Sequence, residues 1–199
     1  MKEILKNAIY FAAFALVFSM ITACSGTTTG ENATQTSGTT DSSTTAGKSS
    51  DYPPLNAGIA QAEMQHLDAS TSKVADRQGK VLLLNMWATW CGPCRAEMPA
   101  LVKMQDEHRD KGFEIIGLNT DDGDTREMIE KFAKEMNLNY TLVWASTDMQ
   151  DALLHTSKFD GIPQSFVVDR NGHLRGVFRG ANPTEIKKME EVVAAVVAE

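Results

Sequence analysis

The segment Val81-Leu82-Leu83-Leu84-Asn85-Met86 runs with one polar break into Trp87-Ala88-Thr89-Trp90-Cys91-Gly92-Pro93-Cys94, and a helix-patterned stretch leaves it. A short apolar run of this kind is what a strand covered on both faces requires. Two cysteines therefore sit where a strand gives way to a helix. Cys91 is placed at the helix N-terminus, beside unpaired backbone N–H groups and the positive end of the helix dipole. That field favours thiolate over thiol, so Cys91 is the expected nucleophile. Cys94 lies one turn on, within reach of a disulfide and more shielded. Pro93 suits the first turn, where no N–H is needed, and Pro99 is expected to kink the helix farther in. Half a zinc site would need a second ligand pair at short spacing, and none is present; haem attachment would need His after the second cysteine, where Arg95 stands. A structural disulfide across two residues closes a loop too small to constrain the unfolded chain much. The strand-to-helix setting favours a redox-active pair.

The stretch Trp87 to Arg95, with Glu97 and Pro99, resembles the active-site segment of the thioredoxin superfamily. Within it the segment is similar to the membrane-tethered TlpA/ResA-like branch, which includes the DsbE/CcmG-like reductases of cytochrome c maturation. The resemblance runs from about Gly79 to the C-terminus. Thioredoxin itself usually has a buried Asp where Asn85 stands; this branch has Asn there and a Glu shortly after the second cysteine, as Glu97 is here. The resemblance implies an α/β, thioredoxin-like fold: a mixed central sheet with helices on both faces, and an extra helix and strand inserted at about 119–140. It also implies a cis-proline beside the cysteine pair. Pro163, after Gly161-Ile162, matches that position, and the next residues are Gln164-Ser165 where family members often have Thr-Thr, which bears on substrate preference.

Glu97 lies three residues past Cys94, about 60° around the helix from it. It is either a solvated first-turn carboxylate favoured by the helix dipole or a proton acceptor for Cys94 that raises the cysteine pKa values. The resemblance favours the second. Trp87, Trp90, Gly92, Pro93 and Ile162 are expected to surround the pair, with Trp90 partly exposed beside Cys91. His66, His108, His155 and His173 are scattered. Copper-delivery relatives of this fold use a longer cysteine spacing plus a distal His, so no metal and no organic cofactor are expected. Peroxidase relatives use a cysteine activated by Thr and Arg. The Trp-Cys-Gly-Pro-Cys context argues against that.

The N-terminus has its own pattern. Lys2 and Lys6 precede an apolar run from Ala8 to Met20, and Ile21-Thr22-Ala23-Cys24 follows. A charged start, a short apolar middle and small residues at the end are the anatomy of an export signal. The run is short for a transmembrane helix, which needs about 20 apolar residues. Ile-Thr-Ala-Cys resembles the bacterial lipobox, so residues 1–24 are expected to be a lipoprotein signal peptide with Cys24 lipidated. That assignment accounts for the third of three cysteines. Residues 25–54, rich in Ser, Thr and Gly, are expected to form a disordered tether reaching roughly 30 Å from the bilayer, and 55–199 the folded domain. A net charge of −7 makes nucleic acid a poor partner.

Along the domain, weak alternation over Ala62–Asp68 predicts an edge strand. Strands are expected at 81–86, 113–118, 141–144, 165–168 and 174–178. Helices are expected over Pro93–Lys111, Asp124–Met136 (apolar face Met128, Ile129, Phe132, Met136), about 148–159, and from Pro183 behind an Asn182 cap. Asn171-Gly172 marks a hairpin turn.

Together these readings describe a monomeric, extracytoplasmic, lipid-anchored thiol-disulfide oxidoreductase. Its substrates would be protein thiols and disulfides, and its electrons would come from a membrane-embedded donor. The alternatives are a tethered, non-enzymatic chaperone for cysteine-bearing peptides and a peroxiredoxin-like antioxidant.

Overall fold

The computed structural model describes residues 51–199. The expected signal peptide, Cys24 and all but the last residues of the expected tether lie outside the described residues. At 53–54 the chain is already fastened to the domain: the Pro53 carbonyl accepts from Leu174 N at 2.9 Å, and Pro54 bridges His173.

Seven strands form one sheet: β1 (Glu63–His66), β2 (Thr71–Lys73), β3 (Val81–Trp87), β4 (Phe113–Asn119), β5 (Thr141–Ala145), β6 (Gln164–Val168) and β7 (Leu174–Arg179). Their spatial order is β2-β1-β5-β4-β3-β6-β7. The inner three, β5, β4 and β3, run parallel, and β1 and β6 flank them antiparallel. The helices are α1 (Ala57–Ala60), α2 (Gly92–His108), α3 (Arg126–Glu135), α4 (Thr147–Ser157) and α5 (Pro183–Val197).

Side chains alternate across the pleat, so β3 sends Leu82, Leu84 and Met86 to one face and Val81, Leu83, Asn85 and Trp87 to the other. The first face packs on Ile59 of α1 and on Met149 and Leu153 of α4. The second packs on α2 and α5 through Leu101, Met104, Met189 and Val193, and on α3 through Ile129 and Phe132. All seven residues of β3 are buried, as a central strand with helices on both sides demands. The structure is thus the expected mixed α/β sheet of the thioredoxin type.

Four expectations are corrected. Glu63–His66 is not an edge strand: it lies between β2 and β5, and the short hairpin partner β2 takes the edge. A strand of three residues carries too little pattern to be legible before pairing. The insertion helix starts at Arg126 behind a Thr125 cap, not at Asp124, because Asp124 is buried and its carboxylate is used elsewhere. Met128 is 46% exposed, so the apolar face of α3 is Ile129, Phe132 and their partly buried neighbours Ala133 and Met136. The active-site helix itself ends at His108 and tightens into a 3-10 turn over Arg109–Lys111 before Gly112 turns it.

Gly117 sits where side chains approach closely. Gly117 pairs with Asn85 on one side and Leu142 on the other. A Cβ there would stand 2.7 Å from Leu142 Cδ2, 3.1 Å from Trp87 Nε1 and 3.2 Å from Tyr140 Cε2. Gly117→Ala is therefore expected to destabilise the fold by about 1–3 kcal/mol, read as a lower denaturation midpoint at unchanged m-value.

Candidate active site

β3 ends at Trp87, and Ala88 to Cys91 turns the chain into α2. Cys91 is the N-cap of that helix, and its Sγ accepts from Cys94 N at 3.2 Å. Pro93 falls within the first two positions of the helix, where its missing N–H costs nothing. Cys91 and Cys94 are joined as a disulfide. Cys91 is 3% exposed and Cys94 fully buried, and both pack in the cluster of Trp87, Met98, Ile129 and Phe132. The two tryptophans separate sharply: Trp87 is fully buried, whereas Trp90 is 68% exposed.

On the other side of the pair is the loop before β6. The Ile162–Pro163 peptide is cis, and Ile162 packs against the cluster that holds both cysteines. The Pro163 carbonyl accepts from Gly180 N at 2.9 Å, while Ile162 makes no backbone hydrogen bond among the described residues.

Glu97 follows Cys94 by one turn on α2 and is 2% exposed. Its Oε1 accepts from Asn85 Nδ2 at 2.7 Å, and Asn85 Nδ2 also donates to Ser165 Oγ at 3.0 Å. Burial pushes the Glu97 carboxyl up to about 7, against the smaller opposing effect of the Asn85 hydrogen bond. It is therefore not a solvated first-turn carboxylate, and it exchanges a proton near neutral pH.

The residues match the Redoxin family over positions 40–195, most of the chain. The chain belongs to the Redoxin family. Within the thioredoxin superfamily it is TlpA/ResA-like. It is 32% identical over 113 residues to the thiol-disulfide oxidoreductase ResA of Geobacillus kaustophilus, a match covering 57% of this chain and 62% of that protein. The chain thus spans less than two thirds of that relative. Among solved structures, a thiol:disulfide interchange protein DsbE described as putative, from Chlorobium tepidum, superposes with a TM-score of 0.60 at 25% identity, covering 73% of this chain and 96% of that one. A protein disulfide isomerase, also so described, from Bacteroides thetaiotaomicron superposes with a TM-score of 0.59 at 27% identity, covering 69% and 86%.

This Redoxin chain also holds site residues that sequence reasoning passed over. The loop Thr120–Thr125 is fastened to the turn before Cys91 by two carboxylates. Asp124, 3% exposed, accepts from Thr89 N at 2.8 Å, from the Thr89 hydroxyl and from Asn119 Nδ2 at 2.8 Å. Asp121 accepts from Gly123 N and from Trp90 Nε1, and these bonds, the first most, hold its carboxyl below the usual range. The signal was the run Thr-Asp-Asp-Gly-Asp, which has the composition of a turn. Its target 35 residues away was not visible. Among the described residues, no group of three or more His, Cys, Asp or Glu side chains could hold a metal, and no helix is long and apolar enough to cross a membrane.

Chemically, a cysteine at a helix N-terminus, a buried partner sulfur and a neighbouring base that titrates near 7 can pass two electrons and a proton to another disulfide, or take them from another dithiol.

Proposed function

We propose that the chain is a membrane-tethered, extracytoplasmic thiol-disulfide oxidoreductase that reduces disulfides of exported proteins, apocytochromes c among them. The observation that carries this reading is the junction of Cys91 at the α2 N-cap with buried Cys94 and buried Glu97. The likeness to ResA, a thiol-disulfide oxidoreductase, supports it.

In the reduced protein, Cys91 thiolate attacks one sulfur of the client disulfide. That S–S bond breaks, a mixed disulfide forms and the first client thiolate leaves. The Ile162 backbone, with its hydrogen-bonding groups unused, is placed to pair with an extended client. Cys94 then gives its proton to the Glu97 carboxylate and attacks Cys91 Sγ. The mixed disulfide breaks and the second client thiolate leaves. The protein ends as the Cys91–Cys94 disulfide, oxidised by two electrons. A dithiol donor in the membrane returns those electrons by the same exchange in reverse.

The direction is tested by equilibrating the pair with thiol buffers of known poise. A reduction potential below about −250 mV is expected; a value above about −150 mV would make the protein an oxidant instead. The tether is supported by the sequence of residues 1–24. Cys24→Ala should release the protein from membranes or leave an unprocessed precursor, and a variant that is processed and fractionates as the parent does would remove the lipid anchor from the proposal.

A further inference from the structure

Beside the Asn85–Glu97 pair lie three buried polar atoms with no hydrogen-bond partner among the described residues: Asn85 Oδ1, Trp87 Nε1 and the Tyr140 hydroxyl. They share one face of the sheet. Asn85 and Trp87 are alternate residues of β3, and Gly117 stands opposite Asn85 in β4. Tyr140 enters from the residue before β5. Gly117 has no side chain, and three side chains close over it: Leu142 Cδ2, Trp87 Nε1 and Tyr140 Cε2 are 2.7, 3.1 and 3.2 Å from the point where its Cβ would be, which brings Trp87 and Tyr140 together beside it. Tyr140 packs at the seam between the cluster under α5 and the cluster that holds the cysteines.

Buried donors and acceptors in native proteins are satisfied by protein or by ordered water. The indole can only donate, and the amide oxygen and carboxylate can only accept. One water, with two lone pairs and two protons, matches this set: it accepts from Trp87 and Tyr140 and donates to Asn85 Oδ1 and to Glu97.

We propose that Trp87, Tyr140, Asn85 and Glu97 form a buried water site beside Gly117, and that Tyr140 acts through it as a positioning residue that sets the protonation of Glu97. The inference deepens the reading of Glu97 as base and rests on it for its functional meaning. Charge at Glu97 and the Tyr140 hydroxyl influence one another: burial, and after it the Glu97 charge, raise the tyrosine pKa. The other groups on the elements packed here do not compete. α2 contributes the two disulfide sulfurs, β4 contributes Gly117, and β6 contributes Ser165. α3 and α5 contribute Ile129, Phe132, Met189 and Val193. Arg95 of α2 lies over the Phe132 ring at 4.9 Å.

The test is carboxyl-carbon NMR titration of Glu97 in the full chain, kept as the disulfide so that no cysteine titrates. Tyr140→Phe keeps the ring and removes the donor, and the Glu97 midpoint should rise by about one pH unit. Trp87→Phe should raise it in the same direction. Because both act through one water, the double variant should move it no farther than the larger single change. A midpoint that stays in place or falls in both single variants, with the backbone amide NMR spectrum otherwise that of the parent fold, overturns the proposal. Should Tyr140→Phe fail to fold, Trp87→Phe carries the test alone. If both raise the midpoint while Glu97→Gln leaves turnover unaltered, the buried site stands and the catalytic role of Glu97 falls.

Discussion

Cys91→Ser should give a folded protein whose thiol-disulfide exchange is lost by about 1,000-fold or more, the full contribution of a nucleophile. The fold should survive because the position is a helix N-cap whose side chain accepts from Cys94 N, and serine is among the preferred residues there. Losing the disulfide removes a very short loop and so little of the constraint on the unfolded chain. The remaining cysteine cannot substitute: Cys94 is fully buried behind Cys91, so a client sulfur has no route to it. Cys94→Ala should do the opposite to the intermediate. Cys91 would still attack, but nothing would resolve the product, and Cys91-dependent adducts with client proteins should accumulate on non-reducing gels. Retention of function by Cys91→Ser would favour the tethered binding module over the enzyme.

Glu97→Gln should make the protein more stable and less active at once. In the fold the carboxyl is held up at about 7, against an ordinary value of 4.5. Between those two values the folded protein keeps a proton that the unfolded chain has released, so stability falls as pH rises through that window. The contribution is greatest below pH 4.5, and its loss is complete above about 7, amounting to about 3 kcal/mol at most. Glutamine keeps an oxygen for Asn85 Nδ2 but has no charge to desolvate. Wild type and variant should therefore coincide near pH 4 in denaturant melts of the disulfide form. The variant should lead by about 2–3 kcal/mol at pH 8. Parallel curves across that range would mean that Glu97 titrates as an ordinary carboxylate. Release of the mixed disulfide should show the complementary behaviour: rising through about pH 7 in the wild type as the carboxylate forms, slower and flat in the variant. A buried carboxyl that costs stability at neutral pH and, on the proposed mechanism, supplies a base there sets function against stability.

Much of the fold was legible because its decisive signals are local. The apolar run at 81–86 reads as a doubly covered strand, and β3 is buried at every residue. Asn182 caps α5 with its side chain on Glu185 N, three residues on. Asn171-Gly172 marks the turn between β6 and β7, where Gly172 takes a φ of 81°. Each depends on residues within a turn or two of one another. The errors have two causes. Asp124 looks like the start of a helix until Thr89, 35 residues away, is brought to it, and Glu63–His66 looks like an edge because the adjacent three-residue β2 carries too little pattern to be read before it pairs.

The same division holds for the site. The sequence alone determined that two cysteines stand at a strand-to-helix junction, and that the first faces a helix N-terminus, because spacing and dipole are properties of one continuous segment. It also placed Glu97 one turn from Cys94, since helix geometry is periodic. Whether that carboxylate is solvated or buried was beyond it. The surroundings of Glu97 include Asn85 of β3, which donates both to it and to Ser165 of β6, 80 residues on from Asn85, and Tyr140, whose hydroxyl feels its charge; these come together only when the sheet is assembled. Desolvation is a collective effect of everything that excludes water, so the shift that turns an ordinary glutamate into a base near neutral pH is decided by tertiary packing alone.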